Sequence, residues 1–504
     1  MHRDRDFDLD RKPPANSEAL TQDLELTTLF NAMAAGDKFL FELATKAVLS
    51  SLTDPDAIRY RQHVLADCLE QADVVRQVYD VAVEAIQSER KVYFGFLRDS
   101  PDSILNRSLQ VLELLLGAVK NLRAIADEHA GDFRSEGFTR FFAMLAAELD
   151  DEYLATVDHH LKELAFRRGV LLSAELGEGN KGVRYVVRKQ PEQGWMERIS
   201  FRNRSASYSF TIPARDENGF KALADLRGRG INLVANALAQ STEHILSFFR
   251  MLRAELAFYV GCLNLHARLV DKGEPTCFPT PVAPGRRTLT AEGLYDVCLT
   301  LLVDGTVVGN DVHADDKALV MITGANQGGK STSLRSVGVA QLMMQCGMFV
   351  PARSFSANVA DAVFTHYKRE EDPTMKSGKL DEELGRMSEI ADQITPDSLL
   401  LCNESFAATN EREGSEIARQ IVRALVEARV KVLFVTHLFD LAHGFYRQGL
   451  DTALFLRAER RADGQRTFRL VEGEPLPTSY GEDSYKRIFA TAADAAPAVA
   501  DKAR

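Results

Sequence analysis

The stretch "TGANQGGKSTSLRS", residues 323–336, follows the apolar run "ALVMI" and leads into "STSLRSVGVAQLMMQ". Gly324, Gly329, Lys330 and Ser331 fit G-x-x-x-x-G-K-[ST], a pattern that constrains this part of the chain to a buried strand, a tight loop and a helix. The glycines let successive backbone N–H groups curl round phosphate oxygens, and the helix N-terminus adds partial positive charge. Lys330 is expected to reach the β and γ phosphates and the Ser331 hydroxyl to ligate magnesium, with Ala325, Asn326, Gln327, Gly328 and Thr332 completing the cradle. The implied ligands are ATP and Mg2+.

Around this loop the rhythm is short apolar strand, turn, helix. "ALVMITG", "SLLLCNE", "VKVLFVTH" and "ALFLRAE" alternate with helical segments such as "EGSEIARQIVRALVEAR", which predicts a mostly parallel sheet covered by helices. Two of these strands end on reactive side chains. "SLLLCNES" presents Asn403 and Glu404, and a carboxylate there can polarise an attacking water, so Glu404 is the candidate general base. "VLFVTHLFD" places His437 where it can meet a γ-phosphate or water, although a histidine at a strand end is on its own an ordinary surface residue.

Some three hundred residues precede the loop, so several domains are required. Residues 1–22 are polar and read as a loose tail. Helical periodicity runs over 23–168. In "SILNRSLQVLELLLGAVKNLRAIADEHAG" the series Leu105, Leu109, Leu112, Leu116, Val119, Leu122 forms one apolar stripe. Residues 169–217 change texture to strand and turn chemistry ("GVRYVVRKQ", "MERISFRNR", "SYSFTIPA"), helix returns over 218–288 with a connector, the strand–helix alternation occupies 289–487, and 488–504 read as a disordered tail.

The net charge of −11 argues against a uniformly nucleic-acid-coating surface but leaves room for a local one. Between Gly169 and Arg215 eight basic residues (Lys181, Arg184, Arg188, Lys189, Arg198, Arg202, Arg204 and Arg215) face four acidic ones, with Tyr185, Trp195, Phe201 and Tyr208 interleaved. Such a segment suits backbone-directed phosphate contact, and equally a solvated strand face. The six cysteines form no CxxC pair and read as buried small hydrophobes. No apolar run approaches the roughly 20 residues of a membrane span, and the charged start "MHRDRDFDLDRKPP" is unlike a signal peptide. A cytoplasmic location is expected.

"TGANQGGKST", "SLLLCNESFAATNEREGSEIA", "LFVTHLFDLAH" and "GEPLPTSYGED" together resemble the MutS family of mismatch-repair ATPases, over essentially all of residues 289–487. Upstream, "SLTDPDAIRYRQHVLADCLEQ" looks like the opening of that family's helical core, and the β-rich insert lies where the family carries its DNA clamp. The resemblance implies a multidomain α and α/β chain: a helical core and lever with a small clamp-like β insert, then an ABC-type P-loop ATPase domain. It implies DNA as partner and a homodimer through the ATPase domains, with no membrane. By the same resemblance Asn326 senses the γ-phosphate, Ser377 reaches across the dimer to the partner's ATP, and Val308, beside Val307, lies against the adenine where the family's usual aromatic is missing.

Three departures qualify the resemblance. The chain starts at the helical core, without the family's mismatch-reading and connector domains. Asn403 stands where an aspartate is expected beside Ser331 at the magnesium, which implies slower hydrolysis. Little chain follows "TSYGED" to form the helical dimerisation module of many members. A nucleotide-gated interaction protein with little turnover, and an ATPase acting on RNA or ribosomes, remain the alternatives.

Overall fold

A computed structural model describes residues 2–92, 100–167, 169–189, 209–369, 378–461 and 463–477. It divides into two compact units: Met1–Ala72, Ser135–Gly137 and Glu255–Arg504 form one, and Asp73–Arg134 with Phe138–Ala254 the other.

The first unit is built on a six-stranded sheet. Its order is Arg466–Glu472, Ala453–Arg460, Leu319–Gly324, Lys431–Val435, Leu399–Asn403, Val363–Tyr367. All neighbours are parallel except the edge pair Ala453–Arg460 and Arg466–Glu472, as the alternating sequence rhythm predicts. The inner strands are almost continuously apolar because both faces are covered: Leu319, Val320, Met321 and Ile322 are all buried. One covering helix is Lys330–Gln345, of which only Ser331, Thr332 and Arg335 escape burial. Another, Glu411–Glu427, buries Gly414, Ala418, Val422 and Leu425 along one stripe. The Asn410 side chain opens it by accepting from the Glu413 N–H at 3.0 Å. A second, four-stranded sheet in the order Thr280–Val282, Ser354–Asn358, Leu289–Leu294, Asn310–His313 flanks the phosphate-loop helix.

The second unit is helical, with one hairpin. The predicted stripe is its core: Leu105, Leu109 and Leu112 of helix Pro101–His129 pack with Leu161, Ile231 and Ala235. Leu171–Leu176 and Gly182–Arg188 pair antiparallel, and Leu172 lies so close to Gly230 that any side chain there would displace it. The helix Glu217–Asp271 contributes to both units, dividing at Ala254.

Three sequence expectations are corrected. Residues 2–22 are not a loose tail. Phe7 is buried and its N–H donates to Glu255 Oε1 at 2.7 Å, while Asn16 Nδ2 donates to the Val363 carbonyl at 2.7 Å and helix Ser17–Asp23 buries Leu20. Nor is 23–168 one helical domain, since residues to Ala72 group with the sheet unit. Periodicity reveals that a helix has an apolar face but not what covers it. Cys277 is half-buried, unlike the other five cysteines, and all six are free. Within the β insert, "MERISFRNR", the first two residues of "SYSFTIPA" and the expected 488–504 tail lie outside the described residues, and residues 209–214 form no strand.

At the N-terminal end of strand Lys431–Val435 sits a buried lysine. Lys431 Nζ donates to the carbonyls of Arg287 (3.3 Å) and Ala314 (3.4 Å), and burial pulls it down to about 7. Because the folded value lies below the unfolded one, the unfolded chain binds the extra proton between about pH 7 and 10.5, so stability rises with pH across that window. The cost of charging the folded form is fully present below pH 7. Lys431→Met should therefore raise the melting temperature most at pH 6–7, with the gain fading toward pH 10. A gain that does not change with pH in thermal scans would contradict this.

Candidate nucleotide site

Strand Leu319–Gly324 delivers the chain into the loop with a backbone only glycine adopts. Gly324 has φ +108°, and a Cβ on it would lie 2.9 Å from the backbone nitrogen of Ala458 on the neighbouring strand. Gln327 (φ +58°) and Gly329 (φ +85°) turn the loop again, and helix Lys330–Gln345 starts immediately after. Lys330 is buried, and its Nζ donates to the carbonyls of Gly324 (3.0 Å) and Ala325 (3.1 Å), so the ammonium spans the loop from inside. Burial lowers its proton affinity, Glu404 works the other way, and Arg466 adds to the lowering. Glu404 is thus electrostatically coupled to the loop lysine.

The parallel register brings the second motif to the same edge. Asn403 pairs with Val435 across the sheet, and its Oδ1 accepts from the Ser331 hydroxyl at 2.9 Å. This bond joins residues 72 positions apart. Glu404 follows half-buried at φ +53°, its N–H donating to the Val435 carbonyl at 2.9 Å. His437 is exposed just beyond the adjacent strand, after Thr436, whose N–H donates to Ile322 at 3.0 Å. These strand ends form the carboxyl edge of the sheet, where open α/β sheets place ligands.

Asn326, Gln327 and Ser331 are exposed on the loop, Ala325 and Gly328 are buried under it, and Thr332 is half-buried in the first helical turn. Val308 is exposed and Val307 half-buried, two and three residues before Asn310. Asn310 Nδ2 donates to Ser333 Oγ (3.2 Å) and to the Phe468 carbonyl (3.1 Å), and its Oδ1 accepts from the Leu470 N–H (2.7 Å). This asparagine was missed from the sequence, as was Arg466, whose Nε donates to the Asn326 carbonyl at 3.3 Å. Ser377 lies outside the described residues.

A cavity of about 840 Å³ opens beside Ser331 and Asn403. The N-terminal segment forms part of its wall through Asp23 and Glu25. Glu25 pairs with Arg335, which also binds the fully buried Asp296 at 2.5 Å. Among the described residues no group of three or more His, Cys, Asp or Glu side chains could hold a metal ion. The oxygen donors present, Ser331 Oγ and Asn403 Oδ1, are neutral. They fit a magnesium ion carried in on phosphate oxygens, which keeps most of its shell from phosphate and water, rather than one caged by protein.

Three basic residues of the hairpin are engaged locally. Arg184 pairs with Glu175 at 3.2 Å, Lys189 with Glu163 at 3.1 Å, and Arg188 Nε donates to Ser173 Oγ at 2.9 Å. Arg198, Arg202 and Arg204 lie outside the described residues. No described helix is long and apolar enough to cross a membrane.

Comparison with known proteins gives two family matches: the MutS2 N-terminal domain over residues 53–272 and MutS domain V over residues 320–491. The chain is 32% identical over 191 residues to the DNA mismatch repair protein MutS of Desulfitobacterium hafniense (strain Y51), covering 37% of this chain and 22% of that protein. It is 34% identical over 179 residues to the protein of that name from Thermotoga neapolitana, covering 35% and 22%. A longer match, 25% identical over 328 residues, is to the MutS of Leptospira interrogans serovar Lai, covering 59% and 38%. The chain thus spans 22% to 38% of the length of these relatives. The upstream match was the weaker half of the resemblance in sequence, and it extends through the helical unit, hairpin included. With both of its halves matched, the chain belongs to the MutS family.

Proposed function

We propose that this chain is a cytoplasmic ATPase that binds ATP with Mg2+ at the phosphate loop and couples binding and hydrolysis to its grip on DNA, in repair or recombination. The observation that carries the reading is the 2.9 Å bond from Ser331 to Asn403, which sets the phosphate cradle against the strand end bearing Glu404. In this reading Lys330 neutralises the β and γ phosphates, and Ser331 takes a place on the magnesium. Glu404 orients and deprotonates the attacking water, with His437 at the next strand end toward the γ-phosphate. A homodimer through the ATPase domains, with Ser377 of the second copy completing each site and Val308 near the base, extends the same proposal. DNA contact would run through the hairpin and be directed to the phosphate backbone. Phosphates there compete with Glu175 and Glu163 for Arg184 and Lys189, so contact trades one ion pair for another and gives grip without base reading.

Asn403 favours a second reading, a nucleotide-gated interaction protein with little turnover, because an amide oxygen accepts from Ser331 without supplying the charge of a carboxylate. Tight ATP binding with phosphate release at background, recovered by Asn403→Asp, would select it.

Lys330→Ala should weaken ATP binding at least about 10- to 100-fold in calorimetry, the scale of losing charge-assisted hydrogen bonds. Unchanged affinity would remove Lys330 from the site. Glu404→Gln should keep ATP bound while phosphate release falls about 100-fold or more, whereas normal release would take the base role away from Glu404. Replacing Arg184, Arg188 and Lys189 together by Ala should weaken binding to all duplexes alike and flatten the slope of log affinity against log salt by about 2–3. A slope that does not move would place the DNA contacts elsewhere.

A further inference from the structure

His366 is fully buried in the edge strand Val363–Tyr367, and no step assigned above uses it. Its Nε2 is 2.9 Å from the carbonyl oxygen of Glu383 on helix Lys379–Gln393. A carbonyl can only accept, so Nε2 carries the proton. Burial and the neighbouring Arg386 pull the ring down to about 4, leaving Nδ1 an acceptor at neutral pH. Facing Nδ1 at 2.7 Å is the hydroxyl of Ser405, whose single proton is shared between that nitrogen and the His366 carbonyl oxygen, also 2.7 Å away. The ring stacks on Phe406 with centroids 5.3 Å apart.

Ser405 and Phe406, held in this way, belong to a strained turn. Glu404 and Phe406 both adopt left-handed backbone, at φ +53° and +62°, a conformation that costs a non-glycine residue energy and persists only where its surroundings over-determine it. Local sequence supplies nothing that prefers it. Among its surroundings His366, from another strand, meets both Ser405 and Phe406.

We propose that His366 is a positioning residue that clamps Ser405 and Phe406 and thereby holds Glu404 at the nucleotide site. The proposal deepens the reading of Glu404 as general base and rests on it for the catalytic consequence only. The clamp itself is a statement about backbone order at 404–406, measurable without turnover. A shift of about 1 Å in a positioned group is enough to cost about a hundredfold in rate.

The test compares the full chain with His366→Phe, which keeps the stacking ring and removes both nitrogens. Amide hydrogen exchange is followed in peptides covering 403–410 and 324–332, beside ATP affinity and phosphate release. Exchange at 404–406 should quicken about tenfold or more, as for loss of a buried hydrogen-bond network, with the phosphate-loop peptide unchanged. ATP affinity should stay within about twofold while kcat falls about 10- to 100-fold. His366→Gln, which can donate and accept in the same directions, should recover part of both. Unchanged exchange at 404–406 overturns the clamp whatever the turnover, and so does exchange that rises equally in both peptides. Should His366→Phe fail to fold, Ser405→Ala removes the same contact from the other side and is read identically. If the unmodified chain releases no phosphate, that result counts against the ATPase reading, and exchange alone decides the clamp.

Discussion

The hydrogen bond from Ser331 to Asn403 depends on sheet register, and most of the site depends on it in turn. Parallel pairing of Leu319–Gly324, Lys431–Val435 and Leu399–Asn403 puts three strand ends on one edge, so a loop, a carboxamide and a carboxylate from distant sequence meet. A shift of one residue along Leu399–Asn403 would turn Asn403 to the opposite face and move Glu404 with it. The apolar strands that fix the register are therefore part of the chemistry, because burial of Leu400, Leu401, Val432 and Leu433 allows no sliding. Lys431, at the far end of the same sheet, shows that even a charged side chain is accommodated there with its proton affinity reduced.

The site is also held from outside the strand–loop–helix unit. Arg335, on the helix that starts at the phosphate loop, binds Asp296 and Glu25, so the N-terminal segment is tied to that helix by a charged chain. Arg466 touches the loop at the Asn326 carbonyl, and Asn310 binds a helix and a strand at once. On the other side His366 meets Ser405 and Phe406, next to Glu404. A nucleotide bound at Lys330 would therefore sit among elements drawn from most of this unit. Such a layout is the physical requirement for binding to change the pose of distant parts.

What could be read from the sequence was whatever is encoded locally. Gly324, Gly329, Lys330 and Ser331 declare themselves because a phosphate loop needs those types at that spacing, and Glu404 because it ends an unbroken apolar strand. The leucine stripe from Leu105 to Leu122 was legible for the same reason. Residues whose role comes from partners far along the chain were not. Phe7 and Leu20 stand alone in polar sequence, and only the surfaces that receive them reveal that residues 2–22 are packed. Asn310 and His366 carry no periodic signal, yet each links elements up to 160 and 39 positions away. The hairpin is the opposite case: its arginines and lysines are conspicuous in sequence, while Glu175 and Glu163, which pair with two of them, are not.

The central claim is that this cradle takes a nucleotide whose magnesium is shared between phosphate and Ser331. Calorimetric titration of ATP into the full chain, with Mg2+ and with a chelator, tests it most directly. The account predicts saturable binding at one site per chain that tightens on adding Mg2+. Binding of equal strength in both conditions, or none in either, would contradict it.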